Sequence, residues 1–256
     1  MPHFFVSPKD IKGNEILITG NEAKHIITVL RKREGDKIDI FDGYGNEFRV
    51  RILEIDRYAG LPRVKAEIIT QKRKETEPKL KIMLFQAIPK GNRLDFIIQK
   101  STEIGISEIV PITTERTIVR LDCKKIKQRA LRWQKIAQEA AKQSRRSAIP
   151  KVGPVLDFSQ ALKEFSAKKP RMGIIAWEME EKNHLRKVLR SSVGGGISRL
   201  PLAIFIGPEG GFTPEEVDEA RRAGVVPVSL GSRILRSETA GLVVAIVALY
   251  ESRDLG

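Results

Sequence analysis

Residues 206–216 read IGPEGGFTPEE, directly after the apolar run Leu202-Ala203-Ile204-Phe205. An apolar run that breaks at once into three glycines and a proline has the form of a buried strand ending in a turn. Thr213-Pro214-Glu215-Glu216 then restarts the chain as a helix, with Thr213 at the N-cap, Pro214 at N1 and Glu216 at N3 completing a capping box. Strand, glycine turn and helix in succession make the unit of a parallel sheet, whose ligands sit beyond the carboxyl ends of its strands. Gly207, Gly210 and Gly211 allow close backbone approach to a ligand or a positive φ. Phosphate is a poor fit, because Glu209, Glu215, Glu216 and Asp218 surround that helix N-terminus and already complement its dipole. No lysine stands where a P-loop needs one, and GxGxxG is absent. A neutral or cationic ligand fits better.

A second loop follows the short strand Val225 to Val228. It reads SLGSRILRSETA, residues 229–240, with Gly231 for close approach and Arg233, Arg236 and Glu238 as strong hydrogen-bonding groups. The run behind it, Gly241 to Tyr250, is apolar on nearly all sides, so as a helix it belongs in a core or between subunits.

Outward from these loops, strands and helices alternate from residue 80. Leu80 to Ile88, Ile109 to Ile112 and Met172 to Trp177 read as strands. Arg93 to Ile104, Leu185 to Leu189 and a long segment from Lys125 to Arg146 read as helices, the last with Ile126, Ala130, Trp133, Ala137 and Ala140 inward. This order predicts an α/β domain with a parallel sheet covered on both faces. Residues 1–73 differ. Glu15 to Thr19, Lys37 to Phe41, Glu47 to Ile55 and Val64 to Thr70 are short Ile- and Val-rich runs punctuated by glycine, the pattern of a small β-barrel domain. One helix interrupts them, Asn21 to Arg33, with Asn21 as N-cap. Residues 74–79 fall in the polar run KRKETEPK and read as a linker, which leaves 80–256 as the second domain.

The 256 residues carry 46 Lys and Arg against 32 Asp and Glu, a net charge of +14. A heavily charged, heat-tolerant surface accounts for abundance of both signs. The clustering of basic residues between 124 and 146 favours a polyanionic partner instead, and nucleic acid is the class expected. The longest apolar stretch is too short to span a bilayer, and MPHFFVSPKD lacks the pattern of a signal peptide. Cys123 is the only cysteine, which excludes an internal disulfide and suits a reducing cytoplasm. The three histidines stand far apart, so no metal site is expected.

IGPEGGFTPEE together with LGSRILRSETA resembles the signature of the SPOUT methyltransferases, and within them the 16S ribosomal RNA uridine-N3 methyltransferase (RsmE) family. HIITVLR at 25–31, PKGNR at 89–93, KSTEIG at 100–105, Arg116, and Gln138 to Ala141 with Gln143 and Arg146 extend the similarity along nearly the whole chain. The resemblance implies an N-terminal PUA-like RNA-binding β-barrel and a C-terminal domain with a deep trefoil knot. It implies S-adenosylmethionine (AdoMet) held in the knot, largely by main-chain groups at Gly207, Glu209, Gly210, Gly211, Leu230, Gly231, Ile234, Leu235 and Arg236. It further implies a homodimer and methylation of a uridine (m3U1498) in 16S rRNA of the small subunit. Uridine N3 must lose its proton, and a fixed arginine near O2 and O4 would favour the anion. Arg236 is the first candidate, with Arg116 and Arg146 behind it, and Glu238 or Glu209 is the candidate base. RNA contacts are expected from Arg31, Lys32, Lys90, Arg93, Arg116, Arg129 and Arg146. Two other readings stay open: a non-catalytic ribosome-binding protein, and a methyltransferase acting on another rRNA or tRNA nucleoside.

Overall fold

The computed structural model describes residues 3–57, 60–73, 76–119, 123–168, 172–193 and 201–255. The chain forms two compact units. One holds residues 1–77 and 141–149, the other 78–140 and 150–256. The stretch 141–149 therefore packs with the N-terminal residues, although the sequence reads it as part of the C-terminal domain. Residues 74 and 75 of the expected linker lie outside the described residues.

The first unit is a six-stranded sheet of β1 (His3–Phe5), β2 (Ile11–Lys12), β3 (Glu15–Thr19), β4 (Lys37–Phe41), β5 (Asn46–Asp56) and β6 (Arg63–Arg73). Its order is β1-β4-β5-β6-β3-β2, antiparallel except where β1 pairs with β4. Alternation sets the inside: Ile16 and Ile18 of β3 are buried while Glu15, Leu17 and Thr19 are exposed. The expected helix from Asn21 to Arg33 is shorter and differently capped. The α-helix α1 spans Gly20–Lys24, preceded by Thr19 rather than capped by Asn21, and passes into a π-turn at His25–Val29. Arg31 then takes φ +51°, the left-handed conformation that ends a helix.

In the second unit the chain runs through β7 (Ile82–Ala87), α2 (Arg93–Ile104), β8 (Glu108–Thr113), α3 (Cys123–Gln143), β9 (Lys151–Val152), β10 (Leu156–Asp157), α4 (Phe158–Lys168), β11 (Met172–Ala176), α5 (Leu185–Val193), β12 (Leu202–Ile206), α6 (Pro214–Arg222), β13 (Val225–Val228) and α7 (Ser237–Glu251). Every strand pair is parallel, in the order β10-β8-β7-β12-β11-β13, with β9 also on β8. The two faces of β7 show how helices cover both sides. Met83, Phe85 and Ala87 share a core with Phe158, Leu162 and Phe165 of α4 and Val217 and Ala220 of α6. Leu84 and Gln86 face α7, where a Cβ at Gly241 would stand 3.3 Å from each. Phe85 stacks on Phe205 at 4.4 Å between ring centroids, a contact contributing about 1 kcal/mol beyond area burial.

The second unit departs from the sequence expectations at two places. α3 ends at Gln143, not Arg146. α4 and the two short strands before it had no counterpart in the sequence reading. In α7 Ala240, Val244, Ala245 and Ala248 face inward, while Ile246 and Tyr250 are exposed.

Candidate functional site

β12 and β13 end at the same edge of the sheet, and the loops that leave them close a cleft of about 560 Å³. The turn after β12 is built for rigidity. The Gly211 amide donates to the Pro208 carbonyl at 3.0 Å. The Ser237 hydroxyl, at the first turn of α7, donates to the Gly207 carbonyl at 2.6 Å and accepts from Gln86 Nε2 at 2.9 Å. Arg116 Nη1 donates to the Gly210 carbonyl at 2.7 Å. The capping box forms as the sequence predicts: Thr213 Oγ1 accepts from the Glu216 amide and Glu216 Oε2 accepts from the Thr213 amide. Glu216 Oε1 also accepts from the Glu115 amide, so its buried carboxylate is fully used by the protein.

The glycines are needed first by the turn itself. A Cβ at Gly207 would stand 3.1 Å from the Gly211 carbonyl carbon and 3.2 Å from the Phe212 ring. One at Gly210 would stand 3.3 Å from the Arg116 side chain. Gly211 has φ +69°, and a Cβ there would overlap the Glu178 carboxylate. Gly231, in the loop after β13, has φ +108° with open space around it. Local packing thus demands Gly207, Gly210 and Gly211 before any ligand is considered, and leaves Gly231 constrained by its backbone alone.

The third wall is residues 176–184, between β11 and α5. It is tied to the loop after β13 by the Ser229 amide on the Asn183 carbonyl at 2.8 Å and the Leu185 amide on the Ser229 carbonyl at 3.1 Å. Glu180, 7% exposed, anchors it by accepting from the Lys182 and Asn183 amides at 2.9 and 3.0 Å, with Arg221 3.5 Å away. Burial alone would raise the Glu180 carboxyl. The Asn183 and Lys182 amides and the Arg221 guanidinium outweigh it and hold the group below the ordinary carboxylate range. The sequence reading missed this segment, because EMEEKNH has no glycine and looks like a solvated acidic stretch.

The cleft wall is acidic. Glu178, Glu180 and Glu181 line it against Arg233 and His184. A chain of net charge +14 thus presents carboxylates at this one cleft. Trp177, also in the wall, keeps its buried indole N–H without a hydrogen-bond partner among the described residues. Gly207, Glu209, Gly210, Gly211, Leu230, Gly231, Ile234 and Leu235 line the cleft; Arg236 does not. Arg236 is 79% exposed at its side chain and stands just ahead of α7. Glu238 is 17% exposed, with Oε1 4.0 Å from Arg236 Nη1 and Oε2 buried without a hydrogen-bond partner among the described residues. Glu209 turns away from the cleft, its Oε1 accepting from Arg93 Nη1 and the Lys90 amide.

The other expected contacts scatter. Arg146 is 6% exposed and gives two hydrogen bonds to Glu77 Oε2, at 2.6 and 3.2 Å, within the first unit. Burial removes it from the RNA contacts and from the candidates for stabilising the base. Arg31 is exposed and Lys32 stands 3.7 Å from Asp36. Lys90 is exposed, and Arg129 lies half-buried beside Trp133, Gly91 and Asn92. Among the described residues no group of three or more His, Cys, Asp or Glu could hold a metal ion.

The sequence model of the RNA methyltransferase domain family matches residues 76–249, and that of the RNA methyltransferase PUA domain matches residues 18–58. Two relatives bear the name Ribosomal RNA small subunit methyltransferase E. That of Bacillus subtilis is 34% identical over 93% of this chain and 91% of its own length. That of Synechocystis is 32% identical over 96% of this chain and 77% of its own. The crystal structure of a Neisseria gonorrhoeae Ribosomal RNA small subunit methyltransferase E bound to S-adenosyl methionine superposes with a TM-score of 0.80 at 33% identity, covering 98% of this chain and 97% of that one. A Legionella pneumophila protein in complex with bound SAM gives 0.82 at 28% identity, covering 97% of each.

Proposed function

The chain belongs to the ribosomal RNA small subunit methyltransferase E family, and from that premise we propose that it methylates N3 of a uridine in 16S rRNA with AdoMet as donor. The single observation that carries this reading is the acidic cleft at the strand ends of an otherwise basic chain. Glu178, Glu180 and Glu181 repel phosphates and suit a ligand bearing a sulfonium and an ammonium. AdoMet supplies an electrophilic methyl group on that sulfonium. Main-chain groups of 207–211 and 229–235 hold it, and the indole N–H of Trp177 offers a further donor.

Arg236, turned to solvent beside the cleft, meets the uracil oxygens and favours the N3 anion. Glu238 takes the N3 proton. The base reaches this point unpaired. Phosphates are held by Arg31 and Lys32 of the PUA unit and by Lys90, Arg116 and Arg129 of the second, which set affinity and salt dependence. A homodimer through α7, whose Ile246 and Tyr250 are exposed, and a trefoil knot around the cleft loops complete the proposal. The substrate places the protein in the cytoplasm.

Mass spectrometry of 16S rRNA nucleosides from a deletion strain tests the reading. We expect loss of one 3-methyluridine, restored by the wild-type gene and not by Arg236→Ala, whose turnover falls at least about a hundredfold. Unchanged 3-methyluridine in the deletion strain overturns the target. Wild-type turnover by the variant removes Arg236 from the mechanism.

A further inference from the structure

We propose that Arg93 is a positioning residue that clamps the turn after β12 to the start of α7, into which the second loop of the cleft leads. The inference rests on the reading of that cleft as the AdoMet site. It gives a role to the carboxylate inside the glycine turn, which neither ligand binding nor local packing explains.

Arg93 is the first residue of α2 and belongs to neither loop. Its Nη1 donates to Glu209 Oε1 at 2.8 Å, and the same oxygen accepts from the Lys90 amide at 3.0 Å. The turn after β12 is thereby bound by its one acidic side chain to the backbone and side chain of the segment 90–93. On its other side Arg93 places Nε 3.9 Å from Glu238 Oε1, at the start of α7. Arg236 Nη1 stands 4.0 Å from that oxygen. One planar guanidinium thus spans from the turn after β12 to the first turn of α7, the helix into which the second loop leads, and Glu238 Oε1 faces two cations. A lysine carries one ammonium on a flexible stem and cannot face both carboxylates at once.

The Arg93 and Glu209 side chains are 43% and 32% exposed. Such a pair in isolation shifts an equilibrium by less than about fivefold. Here it links the turn after β12 to the start of α7 beside a ligand site, and its loss is felt where that turn must hold a shape. A phosphate contact, the role the sequence suggests for Arg93, would leave both loops untouched when the side chain is removed.

The test compares Arg93→Ala, Arg93→Lys, Glu209→Ala and the Arg93→Ala/Glu209→Ala double variant in the full chain. Hydrogen exchange of the Gly211 amide, which closes the turn on Pro208, is followed without ligand, and AdoMet affinity is measured by calorimetry. We expect each alanine variant to speed exchange and weaken AdoMet roughly five- to tenfold. The double variant should lose less than the sum of the two singles, because each single variant already removes the contact between Arg93 and Glu209. Arg93→Lys should lie between. Unchanged Gly211 exchange in Arg93→Ala overturns the clamp, as does additive loss in the double variant. A rise only in KM for the small subunit would make Arg93 an RNA contact. If wild type binds no AdoMet while Arg93→Ala still speeds exchange, the clamp stands and the proposed function falls.

Discussion

The turn after β12 and the loop after β13 both carry a glycine at positive φ, yet they are held by different means. Gly207 to Gly211 is gripped from four directions, by Ser237, Arg116, Arg93 and the capping box of α6. The loop 229–236 is tied at its start by Asn183 and Leu185 and then opens outward, with Ile234 87% exposed. One loop is a frame and the other a rim. A site for a small donor beside an RNA substrate needs both, since preorganisation lowers the cost of binding and an open rim allows entry.

Substitutions at the two glycines sharpen that contrast most. Gly207→Ala puts a Cβ against backbone and the Phe212 ring, neither of which can swing away. We expect a loss of about 2–3 kcal/mol in urea unfolding and AdoMet affinity reduced beyond calorimetric detection. Gly231→Ala meets no atom and pays only for its φ, about 1–2 kcal/mol. Equal losses at both positions would break the distinction between frame and rim.

Ser237→Ala comes next. It leaves the Gly207 carbonyl and Gln86 Nε2 short of a buried partner, at a cost of about 1–3 kcal/mol. Gln86 Nε2 keeps a bond to the Ala87 carbonyl, so the lower half of that range is expected. Glu180→Gln tests the third wall through pH. A carboxyl whose folded pKa is lowered adds stability above its unfolded pKa and loses it as pH falls through the folded value. The wild type should therefore exceed the variant in Tm near neutrality, and the gap should close below about pH 4. A constant gap would assign the Glu180 effect to packing. Ile234→Ala should have the least effect, within about 0.5 kcal/mol of wild type, because so exposed a side chain has little buried area to lose.

Much of the frame was legible because its signals are local. The Thr213–Glu216 capping box involves atoms three residues apart, and the strand Leu202–Ile206 announces itself by five consecutive apolar residues before a glycine. The first helix was misread because HIITV continues an apolar pattern that backbone geometry does not follow: the chain widens to a π-turn and reverses at Arg31. Arg146 was misread because nothing near it in sequence shows Glu77. Its partner lies 69 residues away, and burial of the pair converts an apparent surface charge into an internal staple. The acidic wall at 178–181 was missed for a related reason. A run of glutamates acquires meaning only when another loop brings glycines against it.

By itself the sequence determined the alternation of strand and helix, the two loops at the strand ends and the rarity of phosphate-binding features near them. Each follows from periodicity, glycine placement or charge within a few residues. Only the tertiary structure decided which charges face the ligand and which face one another. Glu209 and Glu178 are both glutamates in loops that leave strands, and the fold sends one outward to Arg93 and sets the other against Gly211 in the cleft wall. The physical reason is that a charge is defined by its partner, and these partners are separated by tens of residues that only packing brings together.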